Sequence, residues 1–452
     1  MGRFVRTKRS KAVLVIGAAA LVSSVWAGTA TSKPAGKTIR VAVVGNPQMV
    51  DIAKLTPSLF TKKTGINVKF TILDEGKLRE IVTRSSGSGS KQFDAVMIGM
   101  YEAPQFGRIG WVRDLTKYTK SDKSYKVADL IPAVKNGLSA DGKQYASPFY
   151  AESSFVMYRK DLLAKAGQTM PAKPTWDQVA AIARKVNTPD VAGICMRGKP
   201  GWGDLGAAFT TVLNTFGGTW WTANADGTVG KAQVDQPEFK QALDFYVKLT
   251  QDAGEKDAAN SSFNECLTQY KEGKVAMWYD ATVAAGLLEA SDSPVKGKNG
   301  FALSPVNKTP ASGWLWAWAL AIPKNSPDAD SAWKFISFAT GPDYIKAAGT
   351  RISGGWAAIP PGTRFSTYQI PQYKKAAAAF GQKTLDAMKA APINNPGTTK
   401  RPGLPGVQYI GIPEWQDIGN RCSELFSAVI AGQAKIDDAL SKCQTIAATV
   451  KK

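Results

Sequence analysis

The alternation of strands and helices near the start of the chain constrains the fold more than any other sequence feature. Apolar runs at 39–44, 66–73 and 93–98 predict three strands, and amphipathic helical patterns fill the two intervals between them. Strands that alternate with helices in this way pair in parallel through right-handed crossovers. The pattern therefore predicts an α/β fold built on a parallel sheet.

Polar side chains follow each of these predicted strands. Asn46 comes after the first strand, Glu75 after the second, and Tyr101 and Glu102 after the third. The carboxyl ends of the strands of an open α/β sheet are where such sheets bind ligands. We therefore expect a ligand site along this edge.

The N-terminus has the composition of an export signal. Residues 1–11 contain five basic side chains and no acid, and an apolar run from 12 to 27 follows. We predict a signal peptide over residues 1–27, with cleavage after Ala27 or, alternatively, Ala30. Removal of this segment lowers the net charge from +21 to +16. We expect a periplasmic protein without a lipid anchor, because no cysteine lies near the cleavage site; an uncleaved membrane anchor is the alternative.

The chain contains four cysteines, an even number that favours disulfides in an exported protein. Three pairings are possible. We favour Cys195–Cys266 and Cys422–Cys443, because the second pair closes a short local loop. Four buried free thiols are the alternative.

The complete absence of histidine excludes several classes of enzyme and metal site. A Ser-His-Asp triad, a Cys-His pair and a histidine-containing zinc site are all impossible. No phosphate-binding glycine motif follows a predicted strand either. We therefore expect no cofactor and no metal.

Aromatic, carboxylate, amide and guanidinium side chains concentrate at predicted strand ends and turns. Sugars and polyols need this mixture, because their C–H surface stacks on aromatic rings while their hydroxyls pair with planar polar groups. The sequence therefore predicts a site for a small neutral sugar or polyol. The candidate ligand-binding residues are Asn46, Glu75, Tyr101, Tyr150, Glu152, Arg197, Trp202, Trp220, Asp280, Trp316 and Trp356.

Other interpretations remain open at this stage. Two of the carboxylates Glu75, Glu102, Glu152 and Asp280 could serve as the acid and base of a glycoside hydrolase. An exported basic protein could also bind an acidic polymer, although the positive charge is spread over the chain rather than concentrated in one segment. Any single aromatic residue could simply be packed in the core. Trp314, Trp316 and Trp318 alternate on one strand, and we expect only one of them to reach a cleft.

Several segments resemble the solute-binding proteins of bacterial ABC transporters, in the large sugar-binding family and its sorbitol/mannitol branch. The likeness covers residues 38 to about 380. It includes Arg197-Gly198-Lys199-Pro200-Gly201 and Tyr279-Asp280-Ala281-Thr282, on which the polyol assignment chiefly rests. The matching segments are 147–154, 195–203, 216–220, 273–282 and 313–323.

The resemblance implies a two-lobed periplasmic-binding-protein fold of type II, with a ligand cleft between the lobes. One lobe would comprise 38–148 plus 283–340, and the other 149–282 plus 341–452. It implies a non-enzymatic receptor for a sugar alcohol such as sorbitol or mannitol, or for another mono- or oligosaccharide. The partners would be ABC permease subunits and no nucleic acid, and the protein would be a monomer. The segment after residue 395 matches nothing in the family pattern.

In this reading Trp202, Trp220 or Trp316 would stack on the carbon chain of the ligand. The hydroxyls would pair with charged side chains, namely Glu75, Glu152, Arg197 and Asp280.

Overall fold

A computed structural model of the protein describes residues 36–450, so the predicted signal peptide lies outside the described residues. Twelve strands are present in this part of the chain. They are β1 Thr38–Val44, β2 Asn67–Leu73, β3 Ala95–Gly99, β4 Ser139–Ala140, β5 Lys143–Gln144, β6 Ser147–Glu152, β7 Ser154–Arg159, β8 Trp221–Ala223, β9 Val229–Ala232, β10 Met277–Ala281, β11 Asn299–Leu303 and β12 Trp316–Ala321.

Helices make up most of the remaining regular structure. They are α1 Pro47–Thr56, α2 Lys62–Thr64, α3 Glu75–Gly87, α4 Glu102–Arg108, α5 Thr116–Ser121, α6 Pro132–Gly137, α7 Lys160–Lys165, α8 Trp176–Val186, α9 Ala207–Phe216, α10 Pro237–Ala253, α11 Phe263–Lys271, α12 Val283–Leu288, α13 Ala329–Ala339, α14 Pro342–Arg351, α15 Pro371–Ala376, α16 Gly381–Lys389, α17 Trp415–Ile430 and α18 Ile436–Ala447. A capping box opens α8, where Thr175 and Gln178 exchange hydrogen bonds.

The larger sheet has five strands in the order β2-β1-β3-β12-β6. β1 runs parallel to β2 and β3, as the alternating sequence pattern predicts. β12 returns antiparallel between β3 and β6. Helices α1, α3, α4 and α13 pack on these strands, and we call this assembly the first half. β3 and β12 are buried throughout because both their faces are covered.

The smaller sheet is antiparallel, in the order β10-β7-β11. α7 packs on β7 and α11 on β10, and α8, α9, α10 and α17 extend the layer. We call this assembly the second half. The Asp280 end of β10 lies beside Phe155, at the start of β7. Polar ends of β6 and β10 are thus brought to the region where the chain passes between the sheets.

The strand pairing differs from the lobe boundaries that the resemblance implied. β6 belongs to the first half, so the chain first crosses at Ser153 rather than at residue 148. β11 pairs with β7, although the sequence placed it in the other lobe. α14 packs on α1 and α13, so part of the segment 341–452 lies with the first half. Apolar patterns locate strands, but they do not reveal which sheet each strand joins.

The structure forms two disulfides, Cys195–Cys266 and Cys422–Cys443, the pairing that the sequence favoured. The first ties the segment before Arg197 to α11, and the second joins α17 to α18. Over residues 36–450, every helix is too short or too polar to traverse a bilayer.

Candidate functional site

A small cavity lies where the chain passes between the two sheets. Small-molecule sites commonly carry a few precisely placed polar groups on an apolar wall. This wall combines aromatic rings with charged and amide side chains, so we take it as the candidate site. It is lined by Glu75, Arg79, Glu152, Arg197, Trp202, Gly203, Ala207, Trp314, Trp316, Trp318 and Gln408.

Three tryptophans from one stretch of chain form the aromatic side of the wall. Trp316 and Trp318 lie on β12, Trp314 precedes it, and alternate residues of an extended chain face the same side. All three line the cavity, whereas the sequence led us to expect only one. Gly99 on the neighbouring strand makes room, because a Cβ there would lie 1.9 Å from the Trp316 ring.

Trp202 comes from the second half of the molecule. It opens a short π-helical segment, Trp202–Gly206, that α17 holds in place. The Asn420 side chain accepts a 2.8 Å hydrogen bond from the Trp202 backbone N–H. Gly203 allows this segment to approach α3, because a Cβ there would lie 2.1 Å from Glu75 Oε1. A glycine is therefore required where the two halves meet most closely.

Arg197 is held by a bidentate pair with Asp280. Its Nε and Nη2 donate to the two carboxylate oxygens at 2.8 and 2.7 Å, and its Nη1 donates to the Gly203 carbonyl at 2.8 Å. Burial opposes the charged guanidinium, but Asp280 outweighs it and raises the pKa of Arg197. Asp280 is fully buried and does not line the cavity. Asp280 therefore positions Arg197 through both of its carboxylate oxygens.

Arg79 fills the aromatic end of the cavity. Its guanidinium carbon lies 4.1 Å from the centre of the Trp202 ring and 4.7 Å from that of Trp318. It donates to Glu75 at 2.7 Å and also to Glu102, so one buried cation bridges two carboxylates. Guanidinium groups are attracted to the faces of tryptophan rings. The face of Trp202 predicted to stack on a ligand is thus occupied by Arg79.

Four buried polar atoms on the wall find no hydrogen-bond partner among residues 36–450. Two are acceptors, Glu152 Oε2 and Gln408 Oε1, and two are indole N–H donors, of Trp202 and Trp314. Buried polar groups in folded proteins are almost always paired. Donors and acceptors left free around one cavity match a ligand whose groups both donate and accept, as hydroxyls do.

Glu152 is the one cavity carboxylate without an arginine hydrogen-bonded to it in the described part of the chain. Burial raises its pKa well above the ordinary value, and Asp280 and Glu75 add to this effect while Arg197 opposes it. A neutral carboxylic acid can donate one hydrogen bond and accept others. Glu152 can therefore serve a hydroxyl group without placing a negative charge in the cavity.

The raised pKa of Glu152 makes a pH-dependent contribution to stability. Because the folded pKa lies above the unfolded one, the folded protein retains a proton that the unfolded chain releases. The contribution of Glu152 is therefore lost as pH rises above about 4.5. We expect Glu152→Gln to have the same melting temperature as wild type near pH 4 and a higher one at pH 8.

Asp204 requires attention in this measurement, because burial and the charge of Glu75 raise its pKa to about 7. The contribution of Asp204 to stability also decreases as pH rises, but it is the same in the variant and in the wild type. The difference between variant and wild type therefore isolates Glu152. A constant difference from pH 4 to pH 8 would contradict the raised pKa.

Three other predicted residues lie behind the cavity wall. The amide of Asn46 donates to the Tyr150 hydroxyl at 2.9 Å, deep in the first half. The Tyr101 ring packs edge-on against Trp202 with ring centres 5.0 Å apart. None of the three lines the cavity itself. They support wall residues rather than face the space.

Two predicted tryptophans lie elsewhere. Trp220 is 1% exposed and donates its indole N–H to Thr210, because the turn at Gly217 directs it onto α9 and into the core. Trp356 packs over Gly349 of α14 and borders a separate surface groove. Neither of these two tryptophans therefore lies on the wall of the cavity.

The sequence interpretation also missed wall residues, namely Arg79, Gly203, Ala207, Trp314, Trp318 and Gln408. The spacing of Glu75 and Arg79, four residues apart on one helix, was the one available signal for Arg79. Among residues 36–450, the one cluster of possible metal ligands joins Glu255 to Cys195 and Cys266, whose sulfurs form a disulfide.

Comparison with known proteins identifies the family to which the chain is similar. Residues 43–346 match the family model of bacterial extracellular solute-binding proteins. The chain is 39% identical to the mannitol-binding protein of Pseudomonas aeruginosa, over 90% of this chain and 92% of that protein.

Solved structures share the fold. An ABC transporter solute-binding protein from Agrobacterium vitis, with bound D-mannitol, is 44% identical, and the superposition covers 91% of this chain and 97% of that one with a TM-score of 0.86. A solute-binding protein from Agrobacterium radiobacter, in complex with ribitol, is 24% identical over 91% and 98% of the two chains, with a TM-score of 0.78. The architecture is the two-lobed α/β fold of periplasmic sugar-binding proteins.

Proposed function

The chain belongs to the bacterial extracellular solute-binding protein family, and we propose that it captures a sugar alcohol of the mannitol type for uptake. The observation that carries this proposal is the set of free donors and acceptors on a tryptophan-lined wall. Trp202 and Trp314 offer N–H groups, and Glu152 and Gln408 offer oxygens. A polyol presents hydroxyls to both kinds of partner and a C–H surface to the rings. The mannitol-binding relative in Pseudomonas aeruginosa supports the same ligand class.

We propose that the site carries out no catalysis. Hydrolysis of a glycoside needs two carboxyl groups free to act on the substrate. Glu75 and Glu102 are hydrogen-bonded to Arg79, and Asp280 is hydrogen-bonded to Arg197. Of these four carboxyl groups, Glu152 is the one that accepts no hydrogen bond from an arginine among the described residues, and one such group cannot act as both the acid and the base. The matched family and the relatives described above are solute-binding proteins.

We propose that the protein works outside the cytoplasm, as a monomer that delivers its ligand to ABC permease subunits. The basic and apolar segments of residues 1–27 support export. Ligand capture between two halves would shift a population of open and closed forms towards the closed form. The permease would then recognise the loaded receptor.

The most direct test is a titration of tryptophan fluorescence with mannitol, sorbitol, ribitol, xylitol, mannose and glucose. Because four tryptophans line the cavity, a bound polyol should change the emission and saturate the signal. We expect the polyols to bind more tightly than the two aldoses. A signal that none of the six ligands changes would overturn the proposal.

Salt dependence separates the polyol receptor from a basic protein that binds acidic polymers. Binding to a polyanion releases counterions and weakens steeply with salt. Binding of a neutral polyol should change little between low and high salt. Affinity for heparin that falls with salt, with no response to polyols, would favour the polymer instead.

A further inference from the structure

The segment from residue 407 to 413 lies beyond the part of the chain that the family resemblance covered, yet it crosses the candidate site. It follows a stretch rich in proline and glycine and has no regular secondary structure before α17 begins at Trp415. Five of its seven residues, 407–410 and 412, are buried. We call this segment the strap.

The start of the strap is attached to α9 of the second half and to the residue that precedes β12. The Asn214 side chain on α9 donates a 2.6 Å hydrogen bond to the carbonyl of Val407. One residue later, the Gln408 amide donates to the Leu315 carbonyl at 3.2 Å, just before β12. These bonds fix the start of the strap and the orientation of the Gln408 side chain.

The far end of the strap is attached to the first half. The Gln105 amide on α4 donates to the Gly411 carbonyl at 2.9 Å. The Tyr101 hydroxyl lies 3.0 Å from the Ile412 carbonyl and 3.1 Å from that of Pro413. The strap therefore joins both halves through hydrogen bonds to its own backbone.

The strap also packs on the aromatic wall. The ring centre of Tyr409 lies 5.7 Å from that of Tyr101, 6.0 Å from that of Trp316 and 6.3 Å from that of Trp202. Beside it, Gln408 lines the cavity, is 4% exposed and keeps Oε1 free of protein partners within the described residues. Because its Nε2 is already engaged, this oxygen is a fixed acceptor.

We propose that Gln408 is a specificity-determining residue that accepts a hydrogen bond from one hydroxyl of the ligand, and that the strap holds it there while clamping the two halves together. This inference rests on the proposed function. A fixed acceptor stabilises the complex with a polyol whose hydroxyl points at it. A polyol without a hydroxyl at that position leaves the buried oxygen unpaired. The strap therefore contributes both to selectivity and to the lifetime of the complex.

The first test is Gln408→Met, which keeps the length of the side chain and removes the amide. We expect roughly tenfold weaker binding of the preferred polyol and a smaller loss for its epimers, so that the selectivity among mannitol, sorbitol and ribitol narrows. Isothermal titration calorimetry measures the affinities, and thermal unfolding reports whether the variant folds. Equal proportional losses for all polyols would overturn the assignment.

The second test is Gln105→Ala, outside the cavity wall. Loss of one hydrogen bond to the strap should raise the dissociation rate about fivefold in stopped-flow fluorescence, with a nearly unchanged association rate. Gln382→Ala is the matched control, because its amide bonds only to exposed Asp386 on α16. Dissociation of Gln105→Ala at the wild-type rate would overturn the clamping role.

The two tests also distinguish failure of this inference from failure of the proposed function. If the wild-type protein binds no polyol, the proposed function fails as well. If the wild-type protein binds a polyol and both variants match it, only this inference fails.

Discussion

An Asp280→Asn protein should bind mannitol at least a hundredfold more weakly than wild type and should unfold more readily. Asp280 is fully buried and accepts both hydrogen bonds of the Arg197 fork. The asparagine side chain carries no charge, so the buried guanidinium loses its bidentate partner and keeps only the 3.7 Å ion pair with Glu75. Breaking a buried ion pair by removing one partner costs about 3–5 kcal/mol. Calorimetric titration and urea unfolding measure the two effects.

The matched control is Asp252→Asn, which breaks the exposed pair between Arg184 and Asp252. Exposed pairs contribute about 0–1 kcal/mol, so neither affinity nor stability should change greatly. If Asp280→Asn lowered stability but retained wild-type affinity, Asp280 would hold the fold without positioning Arg197 for the ligand. That outcome would contradict its role in the site.

The general position of the site could be predicted from the sequence because local rules act on it. Strand–helix alternation determines the parallel β1, β2 and β3, and the polar residue at a strand end must lie at one edge of the sheet. Glu75 and Glu152 reach the cavity for this reason. Arg197 and Trp202 could be predicted because they lie at predicted turns and also in a segment that resembles the family. In each case a short stretch of chain carried enough information.

Other features depend on tertiary packing and could not be predicted in this way. Trp220 and Trp356 have the composition of ligand-stacking residues, but the turns beside them direct one ring into the core and the other into a separate groove. Gln408 lies in a segment without periodicity, and only the folded chain brings it to the cavity. The pairing of β11 with β7 is likewise a contact between distant segments.

The role of Arg79 in the site likewise could not be predicted from the sequence. Sequence spacing pairs Arg79 with Glu75 on one helix, but it gives no sign of Glu102 or of the tryptophan faces. The structure makes this guanidinium the centre of the aromatic end of the cavity. It forms ion pairs with two carboxylates and lies over the Trp202 ring.

Arg79→Ala should therefore lose polyol binding by a factor of a hundred or more. Without the guanidinium, Glu102 is a buried negative charge without its ion-pair partner, at a cost of about 3–5 kcal/mol, and Glu75 keeps only its 3.7 Å ion pair with Arg197. The Trp202 ring also loses the cation that holds it in place. Arg84→Ala on the same helix is the control, because Arg84 forms only an exposed pair with Glu80.

The Arg79→Ala variant also allows a chemical test of why the residue matters. Free guanidinium ion has the shape and charge of the missing group, and the variant retains both carboxylates and the tryptophan faces that held it. Millimolar guanidinium chloride should therefore restore part of the polyol affinity of Arg79→Ala, whereas urea, which is similar in shape but neutral, should not. A structural role in helix α3 alone would give no rescue by either compound. Rescue by guanidinium alone would establish that the cavity needs a planar cation between its carboxylates to bind a neutral ligand.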